Sequence, residues 1–352
     1  MLVIMETGVP PVQVQAVLDR LKEANLEGHL SAGAERIVIG AVGRVVDPEI
    51  RTAIGTMTGV ESVIPISRPY KLAGREFKPR DTIIEVGGVR IGDGSFVVMA
   101  GPCSIESEEH MVTTARAVAA AGGHVLRGGA FKPRSSPYAF RGLGEEGLKH
   151  LAAARAESGL PVITEVMAVE DVELVARYAD ILQIGARNMQ NFNLLDEVGC
   201  VPKPVMLKRA LSGTIEEWLL AAEYIMARGN HEVILCERGI RTFETATRNT
   251  LDLAAIALVK DLSHLPIICD PSHGTGRWKL VQPMARAAVA VGADGLMVEV
   301  HPRPDHALSD GAQSLTFENF AAMVRSLSPV SEALNRRLAP QPPASRRDPS
   351  VV

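Results

Sequence analysis

Aromatic residues make up only 4% of this 352-residue chain, too few rings for a base-stacking platform. The formal net charge is −4, so there is no surplus of cations to track a phosphate backbone, and a nucleic-acid partner is excluded. No window approaches the ~18 apolar residues of a membrane span. The opening Met1–Glu6 stretch lacks a basic segment followed by a long apolar run, so no signal peptide is expected and the chain reads as cytoplasmic. Cysteine is scarce. Cys103, Cys200, Cys236 and Cys269 are far apart, and three of them lie on or just past apolar strand-like runs. That is poor disulfide material and suits a reducing compartment. No internal repeat is visible.

What is present is an alternation. From Asp81 onward, short apolar runs read as strands at Phe96–Ala100, His124–Arg127, Pro161–Glu165, Ile181–Ile184, Pro204–Lys208, Glu232–Leu235, Pro266–Cys269 and Gly295–Val298. Longer stretches between them, such as Thr214–Ala227 and Thr247–Val259, space their apolar residues for one buried helix face. Eight strand–helix units match an α/β architecture, the (β/α)₈ or TIM barrel, which takes ~250 residues. A doubly wound sheet is disfavoured because no Gly-rich dinucleotide turn follows the first strand. Thr82–Val86 and Val89–Gly92, joined by Gly87-Gly88, predict a hairpin closing the barrel floor.

Residues 1–66 follow another order: strand Leu2–Met5, helix Pro11–Ala24, strands Gly28–Ser31 and Arg36–Ala41, helix Asp47–Ile54, strand Val60–Ile66. That βαββαβ sequence predicts a small ferredoxin-like domain. Residues 67–80 read as a linker, 81–338 as the barrel, and the Pro-rich, polar 339–352 as a disordered tail.

Catalytic residues of such barrels gather at the C-terminal ends of the strands. Cys103 follows strand one, His273 follows strand seven and Glu299 ends strand eight, all neighbours around a closed barrel. A thiolate, an imidazole and a carboxylate there can hold a catalytic divalent metal. Asp305 or Asp310 can supply a fourth ligand, and the Leu308–Gly311 turn favours Asp310. Taken singly, Cys103 reads as a small buried hydrophobe and His273 as a loop histidine; together at one rim they favour the metal. The donor set suits Mn²⁺, Fe²⁺, Co²⁺ or Zn²⁺ without choosing among them.

Other strand ends carry Arg127, Lys132, Arg187, Lys208 and Arg238. Alternation puts Met206 and Lys208 inside the barrel and Val205 and Leu207 outside. Most Lys and Arg are solvated surface charges. Five just past buried strands repel one another unless they face a strongly anionic ligand, and a phosphorylated carboxylate fits. Arg134 and Ser135 sit where a second anion can be reached. A Schiff-base role for Lys208 would need an apolar site and would leave the metal site unexplained.

The motifs Ala-Gly-Pro-Cys-Ser (100–104), the run 126–138, Gln-Ile-Gly-Ala-Arg-Asn (183–188), Leu-Lys-Arg (207–209), Glu-Arg-Gly (237–239) and Asp-Pro-Ser-His-Gly-Thr-Gly-Arg (270–277) resemble those of the 3-deoxy-D-arabino-heptulosonate 7-phosphate (DAHP) synthases. The resemblance is to the type I beta branch with an N-terminal ferredoxin-like domain, and it covers nearly all of the chain except the C-terminal tail. It implies a transferase that condenses phosphoenolpyruvate with erythrose 4-phosphate, the first step of the shikimate pathway. By motif it implies Cys103, His273, Glu299 and Asp310 as metal ligands, with Cys103, His273 and Lys132 central to catalysis. It places phosphoenolpyruvate on Arg127, Lys132, Arg187, Lys208 and Arg238, and erythrose 4-phosphate on Pro133, Arg134, Ser135 and Asp270. Ser135 stands where the family usually has Thr, and Trp278 where a second basic residue is common. The sister synthase that uses arabinose 5-phosphate resembles the chain at the same anion and metal motifs, but typically has Ala-Asn-Arg where Pro133-Arg134-Ser135 follows Lys132. The resemblance further implies a homotetramer inhibited by tyrosine or phenylalanine, with His29 and Ser31 expected near the effector.

Overall fold

The computed structural model describes residues 1–32, 36–42, 48–65, 69–132, 138 and 140–342. The chain forms two compact units that divide between Pro69 and Tyr70.

In the first unit, β1 (Leu2–Met5), α1 (Pro11–Glu23), β2 (Glu27–Ala32), β3 (Ile37–Val42), α2 (Pro48–Gly55) and β4 (Val60–Ile64) build an antiparallel sheet of order β2-β3-β1-β4. That is the ferredoxin-like order. Val3 and Met5 alternate onto the face covered by α1, where they meet Val14, Val17 and Leu21 in one fully apolar core.

The second unit opens with the hairpin β5 (Ile84–Val86) and β6 (Val89–Ile91). Gly87 and Gly88 both hold positive φ, the conformation a two-residue turn of this hand requires. Eight parallel strands follow: β7 (Val97–Gly101), β8 (Val125–Arg127), β9 (Val162–Val166), β10 (Ile181–Ile184), β11 (Val205–Lys208), β12 (Val233–Glu237), β13 (Ile267–Cys269) and β14 (Gly295–Glu299). They close into a barrel in chain order, with β14 pairing back onto β7. The layer outside is α3 (Glu108–Ala120), α4 (Glu145–Ser158), α5 (Val172–Tyr178), α6 (Phe192–Gly199), α7 (Ile215–Ala227), α8 (Leu253–Leu262), the short α9 (Pro271–Thr275), α10 (Trp278–Val291) and α11 (Phe317–Ala333).

Strand alternation sorts the barrel into two cores. Val98, Leu126, Val205, Leu207 and Val298 face the helices. Val97, Met99, Val125, Ile163, Ile181, Met206 and Met297 face inward and form one cluster with Ile84, Val86, Val89 and Ile91 of the hairpin. The hairpin therefore fills the floor, each buried aliphatic side chain contributing about 1.5–3 kcal/mol relative to exposure. On five strands the residue two positions beyond an inward apolar one is polar: Arg127, Glu165, Gln183, Lys208 and Glu299. Apolar floor and polar mouth are thus written into the same alternation.

Three sequence expectations change. The stretch 67–80 is no free linker from Tyr70 onward, because the backbone N–H groups of Lys71, Leu72 and Ala73 all donate to the Glu223 carboxylate, at 2.8–3.0 Å. Arg75 Nε also reaches the Lys260 carbonyl. The expected tail begins inside the barrel unit. Ala339 is buried, its N–H donates to Phe96 O, and its carbonyl lies 2.8 Å from His124 Nε2; residues 343–352 lie outside the described residues. Finally, the helix expected over Thr247–Val259 starts only at Leu253. Asp252 caps it by accepting the Ala255 N–H, while Arg248 and Asn249 donate backbone N–H to Thr275 and Gly274 in an extended loop.

His124 makes barrel stability acid-sensitive. Its Nδ1 accepts the Val98 N–H and its Nε2–H donates to Ala339 O, so the neutral ring is the one that fits. Burial, the largest cause, lowers its pKa, and His264 behaves likewise. Below an unfolded-state value of about 6.5 the unfolded chain gains protons that these rings refuse. Folding free energy should fall by up to about 1.4 kcal/mol per pH unit for each ring until its own lowered pKa is reached. Urea midpoints from pH 7 to pH 5 check this, and His124→Asn should flatten the slope; an unchanged slope would remove His124 from the account.

Candidate active site

At the C-terminal mouth of the barrel lies a cavity of about 220 Å³ whose lining includes Arg127, Lys132, Arg187, Lys208 and Arg238. All five cations expected at strand ends therefore meet in one place. The cavity also takes in Glu165, Gln183, Arg241, Arg248 and Asn249, which the sequence reading passed over. Glu165 and Gln183 were accessible to the alternation rule that exposed Lys208. Arg248 was hidden by the helix wrongly extended over it, and Arg241 lies in the same loop, away from any strand end.

Beside the cavity, Cys103, His273, Glu299 and Asp310 each offer one ligand atom within 4.8 Å of all the others. The loops that carry Cys103 and Asp310 are tied together by a Ser104–Ser309 hydroxyl contact and by the Leu308 N–H donating to Glu106 at 2.8 Å. Asp310 holds a left-handed backbone, φ +52°, a conformation that costs a non-glycine residue energy and recurs at functional sites. Asp305, the other candidate, is exposed and faces His306. Gly101 lets β7 approach β8: a Cβ there would lie 2.0 Å from Arg127 O, on a backbone of φ +153°.

The side chains are held in defined chemical states. Asp270 is fully buried; its Oδ1 accepts the His273 backbone N–H and its Oδ2 accepts the ring Nδ1–H at 2.7 Å. That bond selects the tautomer with the Nε2 lone pair free, 3.3 Å from Glu299 Oε1. Burial lowers the His273 pKa despite Asp270 and Glu299, so the ring is neutral. Burial would raise the Asp270 carboxyl, but His273 and Lys208 hold it well below the usual range. Burial would likewise raise Asp310, yet Arg248 above all, with His273 and the Cys103 thiol, brings it to about 2. Glu299 is lowered too, its burial outweighed by His273 and Arg127. The Cys103 thiol moves the other way, to about 11, through burial first and the charge of Glu299 second, with Lys132 opposing. Its Sγ lies 3.1 Å from Asp310 Oδ2 and 3.0 Å from Lys132 Nζ. A soft sulfur, a neutral imidazole and two ionised carboxylates converging in this way fit a divalent transition metal.

Two further placements bear on the expected roles. Arg127 Nη1 donates to Glu299 Oε1 at 3.0 Å and to Pro102 O, while its buried Nε has no hydrogen-bond partner. An unmet guanidinium donor in a residue lining the cavity calls for an anion. Asp270, expected against the aldose phosphate, is instead buried behind the cavity lining, with Lys208 Nζ 2.6 Å from its Oδ2. It holds His273 and Lys208 in place, and the contact engages the Nζ that a Schiff-base role would need as its nucleophile. Pro133, Arg134 and Ser135 lie outside the described residues. His29 and Ser31 are exposed on β2, and the groove between α1 and β2, lined by Leu18, Lys22, Asn25 and Glu27 among others, does not include them.

A second cluster, Glu106, His110 and His301, has ligand-type atoms equally close. There the Arg303 N–H donates to His301 Nδ1, which leaves the proton on Nε2, facing Glu106 Oε1 at 3.3 Å. Burial takes His110 to about 4.

Fold and site together define a (β/α)₈-barrel enzyme with a metal-competent, anion-receptive centre. The chain belongs to the DAHP synthetase I family, which residues 74–336 match, and residues 1–68 match the DAHP synthase ferredoxin-like domain. It is 51% identical over 336 residues to a phospho-2-dehydro-3-deoxyheptonate aldolase of Thermotoga maritima, covering 95% of this chain and 98% of that protein. The crystal structure of a Thermotoga maritima DAHP synthase superposes with a TM-score of 0.91 at 50% identity, covering 96% of this chain and 98% of that one. A 2-dehydro-3-deoxyphosphooctonate aldolase of Syntrophotalea carbinolica is 33% identical over 257 residues, 68% of this chain and 92% of that protein. Among the described residues no helix is long and apolar enough to cross a membrane.

Proposed function

We propose that the chain catalyses the metal-dependent condensation of phosphoenolpyruvate, erythrose 4-phosphate and water to DAHP and phosphate. The observation that carries this reading is the convergence of Cys103, His273, Glu299 and Asp310 beside a cavity lined by seven Lys and Arg side chains. Those cations suit a substrate that carries both a phosphate and a carboxylate. Arg127, Arg187 and Arg238 offer planar donors to either group, and Lys132 and Lys208 supply point charges. When bound, the metal supplies Lewis acidity toward the aldehyde oxygen. The enol carbon of phosphoenolpyruvate forms the new bond to the aldehyde carbon, and the carbon bearing the phosphate becomes electron-poor. Water adds there, its proton passes to a base, and C–O cleavage releases phosphate. The cationic lining holds both reactants in register and stabilises charge as it develops. Lys132, which reaches both the cavity and the Cys103 thiol, couples the two halves of the site.

Preference for the four-carbon sugar is supported by the 51% identical relative and by the Pro133-Arg134-Ser135 run. Met1–Ile66 is read as a regulatory domain on the strength of its family match, with tyrosine or phenylalanine as effector near His29 and Ser31. A homotetramer and a cytoplasmic location belong to the same reading. The test is phosphate release from phosphoenolpyruvate with erythrose 4-phosphate or arabinose 5-phosphate, with and without chelator, and then with each aromatic amino acid. Chelator-sensitive release with the four-carbon sugar alone is expected. Release with arabinose 5-phosphate would overturn the substrate assignment, and chelator-resistant release would overturn the metal.

A further inference from the structure

Gln313 is buried in the turn after Asp310, outside the cavity lining and not itself one of the metal-competent cluster. Its two amide ends nevertheless reach Glu299 directly and Asp310 by way of Arg248. Nε2 donates to Glu299 Oε2 at 2.7 Å, and Oε1 accepts from Arg248 Nη1 at 2.7 Å. Arg248 Nη1 also donates to Asp310 Oδ1 at 3.2 Å. The orientation of the amide is dictated by its partners, since the flipped form would set oxygen against a carboxylate and NH₂ against a guanidinium. Glu299 Oε1 is already held by Arg127, so Gln313 fixes the other oxygen and with it the plane of the carboxylate.

From this geometry we infer that Gln313 is a positioning residue for the metal site. Its side chain locks Glu299 directly and Asp310 through Arg248, so that both carboxylates are set before an ion arrives. The inference rests on the metal reading above. It adds that ligand preorganisation depends on one neutral amide that touches neither substrate nor metal. Partners of this kind typically change metal affinity 10–100-fold. A neutral amide suits the position: it can donate to one acid and accept from the cation that serves the other, which neither a carboxylate nor an ammonium can do.

The experiment is Co²⁺ binding to purified full-length protein, followed by chelator competition and by the cobalt absorption spectrum. The variants are Gln313→Met and Gln313→Asn, the latter keeping an amide one carbon too short to span both partners. One ion per subunit is expected for the wild type, with 10–100-fold weaker binding and a shifted ligand-field band in both variants. Phosphoenolpyruvate binding to the metal-free variants should match wild type, because Gln313 does not line the cavity. Wild-type cobalt affinity and spectrum in either folded variant would overturn the positioning role alone. A wild type that binds no ion, or binds it equally well as Cys103→Ser, would overturn the metal reading and this inference with it. Circular dichroism of the metal-free proteins identifies which variant is folded and used.

Discussion

Asp270→Asn should cost at least about 100-fold in kcat/KM and loosen the metal about 10–100-fold, although Asp270 neither lines the cavity nor belongs to the metal-ligand set. Asparagine keeps the shape and loses the charge. Oδ2 now accepts from both Lys208 at 2.6 Å and the His273 ring at 2.7 Å, while Oδ1 accepts the His273 backbone N–H. With its NH₂ at the Oδ1 position the new amide meets the His273 backbone N–H head-on, and with its NH₂ at Oδ2 it faces both the His273 ring and Lys208. If His273 yields, its proton moves to Nε2 and faces Glu299, and the lone pair that would ligate is gone. If Lys208 yields, an ammonium buried among other cations loses its counterion; breaking a buried pair costs about 3–5 kcal/mol. The two losses separate experimentally. Excess Mn²⁺ should recover only the metal-affinity component, leaving a raised KM for phosphoenolpyruvate from the displaced Lys208. A variant with wild-type metal affinity and kcat/KM would remove Asp270 from the site.

The same residue shows where sequence reading stops. The elements of both units were legible because alternation and helical spacing are local, and most boundaries fell within two residues of those observed. Cys103, His273, Glu299 and Asp310 were legible because barrel closure makes strands one, seven and eight neighbours. The family resemblance, not the spacing, is what sets Asp270 beside erythrose 4-phosphate. Its burial behind His273 depends on how α9 folds back, which spacing does not encode. Arg248 and Gln313 were invisible for a related reason. One lies in a loop that looked helical until Asp252 was seen to cap α8, and the other acts only through contacts across loops far apart in sequence. Glu165 was different, since the inward alternation that found Lys208 on β11 applies equally to β9.

Glu165→Gln should lower kcat by about 10²–10⁴, the usual contribution of a positioned proton acceptor. Of the residues lining the cavity, Glu165 and Asp310 are the carboxylates, and Asp310 is occupied by Cys103 and Arg248. Among the described residues, the hydrogen bond to Glu165 is one long contact from Gln183, at 3.5 Å, which leaves its carboxylate able to accept the proton of the attacking water. A negative charge in a cavity built for a phosphorylated carboxylate works against substrate binding, which gives its removal a distinct signature. The glutamine variant should bind phosphoenolpyruvate as tightly as wild type or tighter while turning over far more slowly. Lys132 is the rival base, but its Nζ already donates to both Cys103 O and Cys103 Sγ. Lys132→Met should therefore raise the KM for phosphoenolpyruvate and weaken the metal while lowering kcat less than Glu165→Gln does. If Lys132→Met loses kcat by that amount at saturating metal and Glu165→Gln stays within tenfold of wild-type kcat, the proton goes to Lys132 and Glu165 has no part in the chemistry.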